Sequence, residues 1–194
     1  MEKKVKLKDG SEVLIRELGE DDVDRSFAFF TALPEEDRAY LRVDVTKREV
    51  LQQRIQEMVA GRTIRLVAVA DDKIVADGAL DLPTHGWTKH VAELRLIVAR
   101  PFQRKGLGML MARELYGLAA TNKVEEIIVE MMRPQVAAMT IFKSLGFHQE
   151  AILPDYVRDI RGKKQDLVLM RCDLESLWQT LEDHMADSDW QRTR

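Results

Sequence analysis

The chain carries a glycine-bearing turn at residues 103–108, with the sequence Gln-Arg-Lys-Gly-Leu-Gly. An apolar run from Val91 to Val98 precedes it, and apolar residues at helical spacing follow it from Leu107 to Leu118. These patterns predict a strand, a tight turn and a helix in direct succession. Because free N–H groups lie at the positive end of a helix dipole, such a junction is a seat for a phosphate group.

Two common phosphate-binding loops do not fit this turn. The dinucleotide fingerprint needs a third glycine three residues after the second, where this chain has Met111. The nucleoside triphosphate loop needs Gly-Lys-Ser/Thr, whereas Gly108 is followed by Met109. The turn therefore indicates a phosphate-bearing ligand of another kind.

The turn reads Gln-x-x-Gly-x-Gly, and a later helix ends in Leu-Gly-Phe at residues 145–147. In these features the chain resembles the GNAT family of N-acetyltransferases, whose signature at this junction is Arg/Gln-x-x-Gly-x-Gly/Ala. The strand from Ala92 to Val98 and the segment from Gln135 to Phe147 complete the resemblance. It implies acetyl-CoA as the acyl donor, with its pyrophosphate held by the amides of the turn.

The resemblance also implies which residues contact the cofactor. The backbone of the strand would meet the pantetheine arm, and the glycines would let phosphate oxygens approach the amides. The expected cofactor-binding residues are Ile97, Val98, Gln103, Arg104, Lys105, Gly106, Leu107, Gly108, Gln135 and Phe142. Arg100 is either a further phosphate ligand or a solvated surface cation.

Glu93 is the candidate general base. An amine with a pKa near about 10.4 is almost fully protonated at pH 7, so its attack on a thioester needs a base or a relay. Strand alternation places Glu93 on one face with Arg95 and Ile97, and the resemblance implies that it removes the proton. The alternative is a structural charge pair between Glu93 and Arg95.

Phe142 departs from a common feature of the family. Many members have a tyrosine at this place, which protonates the departing CoA thiolate, and phenylalanine cannot do so. Tyr156 or a bound water is the candidate replacement, although Tyr156 also fits a packed aromatic residue. Gln135 stands where the family often has asparagine and keeps the amide.

The missing tyrosine and the arginine-bearing segment Arg38–Arg42 resemble the bacterial protein lysine acetyltransferases of the family. A protein lysine is therefore the favoured acceptor. A small-molecule amine, an amino acid, or a silent acyl-CoA-binding regulatory role are the alternatives. The residues expected on the acceptor side are Tyr40, Arg42, Asp44, His85, Trp87, Tyr156, Arg158 and Asp159, whose opposing charges leave the acceptor open.

Composition limits the other partners. With 194 residues, 45% of them hydrophobic, the chain can bury one core, and its net charge of -3 gives no field that would recruit nucleic acid or an anionic membrane. One cysteine and the lack of a long apolar run predict a cytoplasmic protein without a membrane span. His85 and His90 lack a third ligand, so no metal site is expected.

The resemblance and the residue patterns together predict an α/β fold of the GNAT type, with a mixed sheet flanked by helices. Strands are predicted at 12–17, 63–70, 73–82, 91–98, 125–132, 147–154 and 165–172. Thr46 and Glu49 suggest a capping box before the second helix. Residues 1–173 are expected to form the acetyltransferase domain of a monomer or homodimer. Residues 174–194 are expected to form a helical extension that packs on it, with a docking surface as the alternative.

Overall fold

The computed structural model describes residues 2–83 and 86–175 of the chain. Its strands are β1 (Glu2–Lys6), β2 (Glu12–Glu17), β3 (Thr63–Ala70), β4 (Lys73–Asp81), β5 (Val91–Val98), β6 (Glu126–Met132), β7 (His148–Arg158) and β8 (Lys164–Asp173). Its α-helices are α1 (Val23–Ala32), α2 (Glu35–Arg38), α3 (Arg48–Val59), α4 (Leu107–Thr121) and α5 (Val136–Ser144). Short 3-10 helices at Glu20–Asp22 and Arg100–Phe102 precede α1 and the glycine turn.

The described strands form one mixed sheet in the order β1-β2-β3-β4-β5-β6-β8-β7. Only β5 and β6 are parallel neighbours, and the other pairs are antiparallel. Helices α4 and α5 pack on one face of the sheet, and α1 and α3 pack on the other. The predicted α/β class with a mixed sheet flanked by helices is confirmed.

Strand β5 lies between these two layers, as its alternation predicts. Ala92 and Leu94 are buried on the α4 side, whereas Ile97 packs on the side of α1 and α3. Helix α4 lies close to the sheet at Gly78, where a Cβ would come within 2.8 Å of Leu115 Cδ1. The missing side chain at Gly78 therefore lets α4 pack close to the sheet beside β5.

The structure differs from the prediction at β1 and at the predicted capping box, and it leaves most of the predicted C-terminal extension untested. Strand β1 was not predicted because its side chains are mostly exposed, so it shows no apolar face. The capping box is wrong, since α3 begins after Lys47 and the Thr46 hydroxyl donates instead to Asp44 Oδ1 at 2.5 Å. Leu174 packs into the core, but the rest of the predicted C-terminal extension, from residue 176, lies outside the described residues.

Asp22 is a buried carboxylate that anchors the start of α1. It accepts hydrogen bonds from Arg16 at 2.5 and 2.8 Å and from the Gly19 N–H at 2.8 Å. Chiefly through the Arg16 hydrogen bonds, the pKa of Asp22 is lowered from its ordinary value of 3.8 to about 2. The stability that ionised Asp22 adds to the fold is therefore complete above pH values near its ordinary pKa, and it is lost as the pH falls toward its pKa in the folded protein.

Replacing Asp22 by asparagine is expected to lower the free energy of unfolding by about 2 kcal/mol at pH 7. The deficit is expected to shrink as pH falls below about 4, because the wild-type carboxylate then becomes protonated as well. Urea unfolding at neutral and acidic pH measures both effects. Asp21→Asn at the exposed neighbour is the control. A deficit that is independent of pH would contradict the assigned ion pair.

No helix of the described residues is long and apolar enough to span a membrane.

Candidate active site

Strands β5 and β6 separate after a short stretch of pairing. They are paired only from Val91 to Glu93 on β5, against Glu126 to Ile128 on β6. Beyond that point no described strand pairs with this edge of β5, whereas its other edge stays paired with β4 as far as Val98. The two strands therefore open a cleft, and unpaired backbone groups of β5 line one side of it.

The glycine turn lies at the end of this open edge. Gly106 has a φ of +89°, a left-handed conformation that favours glycine. Among the described residues, none accepts a hydrogen bond from the backbone N–H groups of residues 104–109. The N–H of Leu110 bonds back to the Gly106 carbonyl at 3.1 Å. A run of free amides at a helix N-terminus fits a phosphate anion.

Two side chains of the turn have structural partners. Gln103 Nε2 donates to the Val98 carbonyl at 2.8 Å and so ties the turn to the end of β5. Lys105 Nζ lies 2.7 Å from Asp9 and 5.3 Å from the centroid of the Phe102 ring. These contacts hold the turn in shape, which leaves its amides as the groups directed at a ligand.

Two further arginines of this region differ in their contacts. Arg100 pairs with Glu36 at 2.8 Å and with Asp37 at 2.9 Å, so it is engaged at the surface. Arg104 is exposed and has no ion-pair partner among the residues that the structure describes. Arg104 is therefore the turn arginine that is available to a phosphate.

Glu93 is the last residue of β5 that is paired with β6, and 18% of its side chain is exposed. Arg42 makes a two-pronged contact with it, in which Nη1 donates to Glu93 Oε2 at 2.9 Å and Nη2 donates to Oε1. The same Nη2 lies 2.8 Å from Glu130 Oε2 on β6. Arg95, the partner considered from the sequence, pairs instead with Asp81.

The protonation of Glu93 follows from these surroundings. Burial raises its pKa above the ordinary value, and the neighbouring charge of Glu130 acts in the same direction. Arg42 opposes both effects through its charge and its hydrogen bonds. A carboxylate with a raised pKa is a stronger base than a solvated one, which suits it to accept a proton near neutral pH.

A cavity of about 120 Å³ lies in the cleft. Gln135 and Phe142 line it from the side of α5. Gln135 Oε1 accepts a hydrogen bond from the Met132 N–H at 2.7 Å, and the Phe142 ring meets Phe147 edge to face at 5.2 Å. Both predicted residues are therefore brought to the cleft, where Phe142 offers an apolar surface and no hydroxyl.

The structure brings only part of the predicted acceptor side to this cavity. Tyr40 and Arg42 line it. The predicted residues that do not line it are Asp44, Trp87, Tyr156, Arg158 and Asp159. Tyr156 is 68% exposed on β7, and its role as proton donor stays a prediction. His85 lies outside the described residues.

Five charged residues of the cavity were not predicted as site residues, namely Arg54, Arg65, Asp77, Arg95 and Glu130. Arg65 and Asp77 are 4% and 7% exposed, within strands that are otherwise largely apolar and buried. A charged residue in a buried strand is itself a signal, because such groups need a partner. The sequence shows these charged residues within apolar strands, but it does not show that they pair with each other.

The sequence is similar to one protein family and to a characterised relative. Residues 28–147 match the model of the acetyltransferase (GNAT) family. Over 108 residues the chain is 25% identical to the ribosomal protein bS18-alanine N-acetyltransferase of Salmonella typhimurium, a match that covers 56% of this chain and 70% of that protein.

Solved structures of other proteins share the fold. The GNAT domain of S. lividans PAT superposes with a TM-score of 0.74 at 17% identity, covering 89% of this chain and 96% of that one. The structure of yncA from Salmonella typhimurium with its cofactor acetyl-CoA gives a TM-score of 0.67 at 20% identity, covering 84% and 95%. The chain belongs to the GNAT family, and it is an acyl-CoA-dependent N-acetyltransferase that uses acetyl-CoA as its donor.

Proposed function

We propose that the open edge of β5 and the glycine turn together hold acetyl-CoA. The free amides of residues 104–109 and the side chain of Arg104 would bind the pyrophosphate. The backbone of β5 that follows Glu93 and is not paired with β6 would hold the pantetheine arm, with Gln135 and Phe142 on the facing wall. When bound, acetyl-CoA supplies the acetyl group as an activated thioester.

Glu93 serves as the general base in this proposal. The observation that carries this role is its place, since it is a largely buried carboxylate where the two strands begin to separate. Arg42 lies between Glu93 and Glu130. An acceptor ammonium would take the position of the Arg42 guanidinium there, and Glu93 would then remove its proton directly or through a water.

We further propose that the acceptor is a primary amine, with a protein lysine favoured over a small-molecule amine or amino acid. Glu93 and Glu130 suit an ammonium group because two carboxylates can accept its hydrogen bonds. The sequence relative named above acts on an alanine of a ribosomal protein, which favours a protein as acceptor.

Competing acceptors test this choice. The full chain is incubated with acetyl-CoA and either lysine-containing peptides, peptides with a free N-terminus but no lysine, or small amines and amino acids. Mass spectrometry then gives the acetylated atom. The proposal expects the highest kcat/KM for a lysine side chain. A higher kcat/KM for any other amine would replace lysine as the assigned acceptor.

Replacing Arg42 by alanine is expected to shift the acidic limb of the pH–rate profile to higher pH. Arg42 lowers the pKa of Glu93 through its charge and hydrogen bonds, so its removal lets that pKa rise further. The base form of Glu93 would then be reached only at higher pH. Profiles of kcat/KM measure the shift, with Arg48→Ala as the exposed control. If the acidic limb of the profile does not move, the group that titrates in that limb is not Glu93.

We also propose that residues 1–173 act as one cytoplasmic domain with residues 174–194 as its extension, in a monomer or homodimer. Light scattering on the full chain measures its mass. The mass of one chain or of two fits this proposal, and a larger assembly would contradict it.

A further inference from the structure

Arginines from neighbouring elements converge on one small residue of the sheet. Arg65 on β3 and Arg95 on β5 are both in register with Ala79 on β4, so the three side chains lie in a row on the same face. Arg54 of α3 covers this face from above, with its guanidinium 5.1 Å from the centroid of the Phe30 ring. All of these residues line the cavity in the cleft.

The hydrogen-bonding capacity of these arginines is not filled. Arg65 Nη1 donates to Asp77 at 2.6 Å, and Arg95 pairs with Asp81. The Nε atoms of Arg65 and Arg95 are buried and have no partner. Arg54 has no hydrogen-bond or ion-pair partner among the described residues. Buried donors without an acceptor are costly, so a ligand that supplies acceptor oxygens would be stabilised here.

Within this cluster the charges leave a local surplus, which is separate from the two glutamates that Arg42 engages. Three guanidinium groups, those of Arg54, Arg65 and Arg95, face the two carboxylates of Asp77 and Asp81. Burial, with a smaller contribution from the nearby charge of Arg65, lowers the pKa of Arg54 to about 10, so the group still carries its charge at pH 7. A planar anion would neutralise this surplus, and carboxylates match the geometry of a guanidinium.

The arginine cluster lies close to the proposed base. Arg95 and Glu93 are two positions apart on β5 and share one face, which places them roughly 7 Å apart along the strand. A molecule that places an amine between Glu93 and Glu130 can therefore reach the cluster with a second group. The cavity of about 120 Å³ has room for a carboxylate with a short stem.

We propose that Arg54, Arg65 and Arg95 bind a carboxylate carried by the amine acceptor itself. This inference rests on the proposed acetyltransferase function and adds a chemical requirement to its acceptor. The carboxylate belongs either to a free amino acid or to an acidic residue beside the acceptor lysine in a protein. In both cases the acceptor presents a cation to the two glutamates and an anion to the arginines.

A binding measurement tests the cluster without any turnover. Propionate is titrated into the full-length chain and followed by NMR for wild type, Arg54→Gln and Arg48→Gln. Arg48 lies on the same helix but pairs with Asp24 at the surface, so it is the matched control. The dissociation constant of propionate is expected to be at least tenfold higher for Arg54→Gln than for wild type, and unchanged for Arg48→Gln. Equal binding by the three proteins would overturn the inference, whether or not any amine is acetylated.

Matched acceptors then identify the source of the carboxylate. The kcat/KM of lysine is compared with that of lysinamide, and that of a Lys-Glu peptide with that of its Lys-Gln counterpart. For wild type, the kcat/KM of the acceptor with the carboxylate, lysine or the Lys-Glu peptide, is expected to exceed that of its amide counterpart at least tenfold in one of the two pairs. Arg54→Gln is expected to show no such difference. A preference in the first pair indicates a free amino acid, and one in the second indicates a protein segment. Equal kcat/KM within both pairs would overturn the inference.

Discussion

Replacing Glu93 by glutamine is expected to lower kcat for amine acetylation by about 10²–10⁴-fold. Glutamine keeps the size of the side chain and a hydrogen-bond acceptor, but it cannot take the proton from the acceptor ammonium. Affinity for acetyl-CoA is expected to stay unchanged, because the free amides of the turn do not involve Glu93. Steady-state kinetics and calorimetry with acetyl-CoA measure the two quantities separately.

Two controls make this result specific. Glu126→Gln removes a carboxylate of β6 that pairs with Arg171 and not with Arg42, the partner of Glu93, and it is expected to keep kcat. The deficit of Glu93→Gln is also expected to narrow as pH rises toward the pKa of the amine, since more acceptor is then already neutral. An unchanged kcat in Glu93→Gln at pH 7 would remove Glu93 from the role of base.

Replacing Gly106 by alanine is expected to weaken acetyl-CoA binding by about tenfold. Gly106 has a φ of +89°, and a residue with a Cβ pays on the order of 1–2 kcal/mol in a left-handed conformation. The turn can relieve this strain only by shifting, which moves its amides away from the arrangement that fits a phosphate. Since 1.4 kcal/mol is about tenfold in a dissociation constant, calorimetry resolves the effect.

Gly117→Ala is the control for this prediction. Gly117 lies within α4, outside the turn, and a Cβ there would meet no atom within 4 Å. The turn should then keep its shape and its affinity for acetyl-CoA. Thermal unfolding of both variants shows whether either change extends to the whole fold. Equal affinities of Gly106→Ala and wild type would contradict the assignment of the turn to the pyrophosphate.

Local patterns predicted most of the fold. Strand β5 has the bounds that its apolar run predicted, and the Asp71-Asp72 turn joins β3 and β4 with both residues at positive φ, as a tight hairpin requires. These features depend on neighbouring residues alone. The short helix α2 was missed because four residues carry no periodic pattern.

The contacts at the site that the sequence did not predict are those between residues far apart in the chain. Arg42 and Glu93 are 51 residues apart, and nothing in either segment indicates that the two side chains meet. The same holds for Arg54, which reaches the Arg65–Asp77 pair only because α3 packs over the sheet. The separation of β5 from β6 likewise depends on the pairing of whole strands, whereas the glycine turn was evident from its own residues.

Acceptor-dependent release of CoA by the full-length chain distinguishes an acetyltransferase directly from a protein that only binds acyl-CoA. Wild type is incubated with acetyl-CoA and a panel of peptides, amino acids and amines, and the free thiol is followed over time. Release is expected to depend on an amine acceptor and to fall by about 10²–10⁴-fold in Glu93→Gln. Tight binding of acetyl-CoA with no release for any acceptor would contradict this expectation and would favour a silent acyl-CoA-binding role.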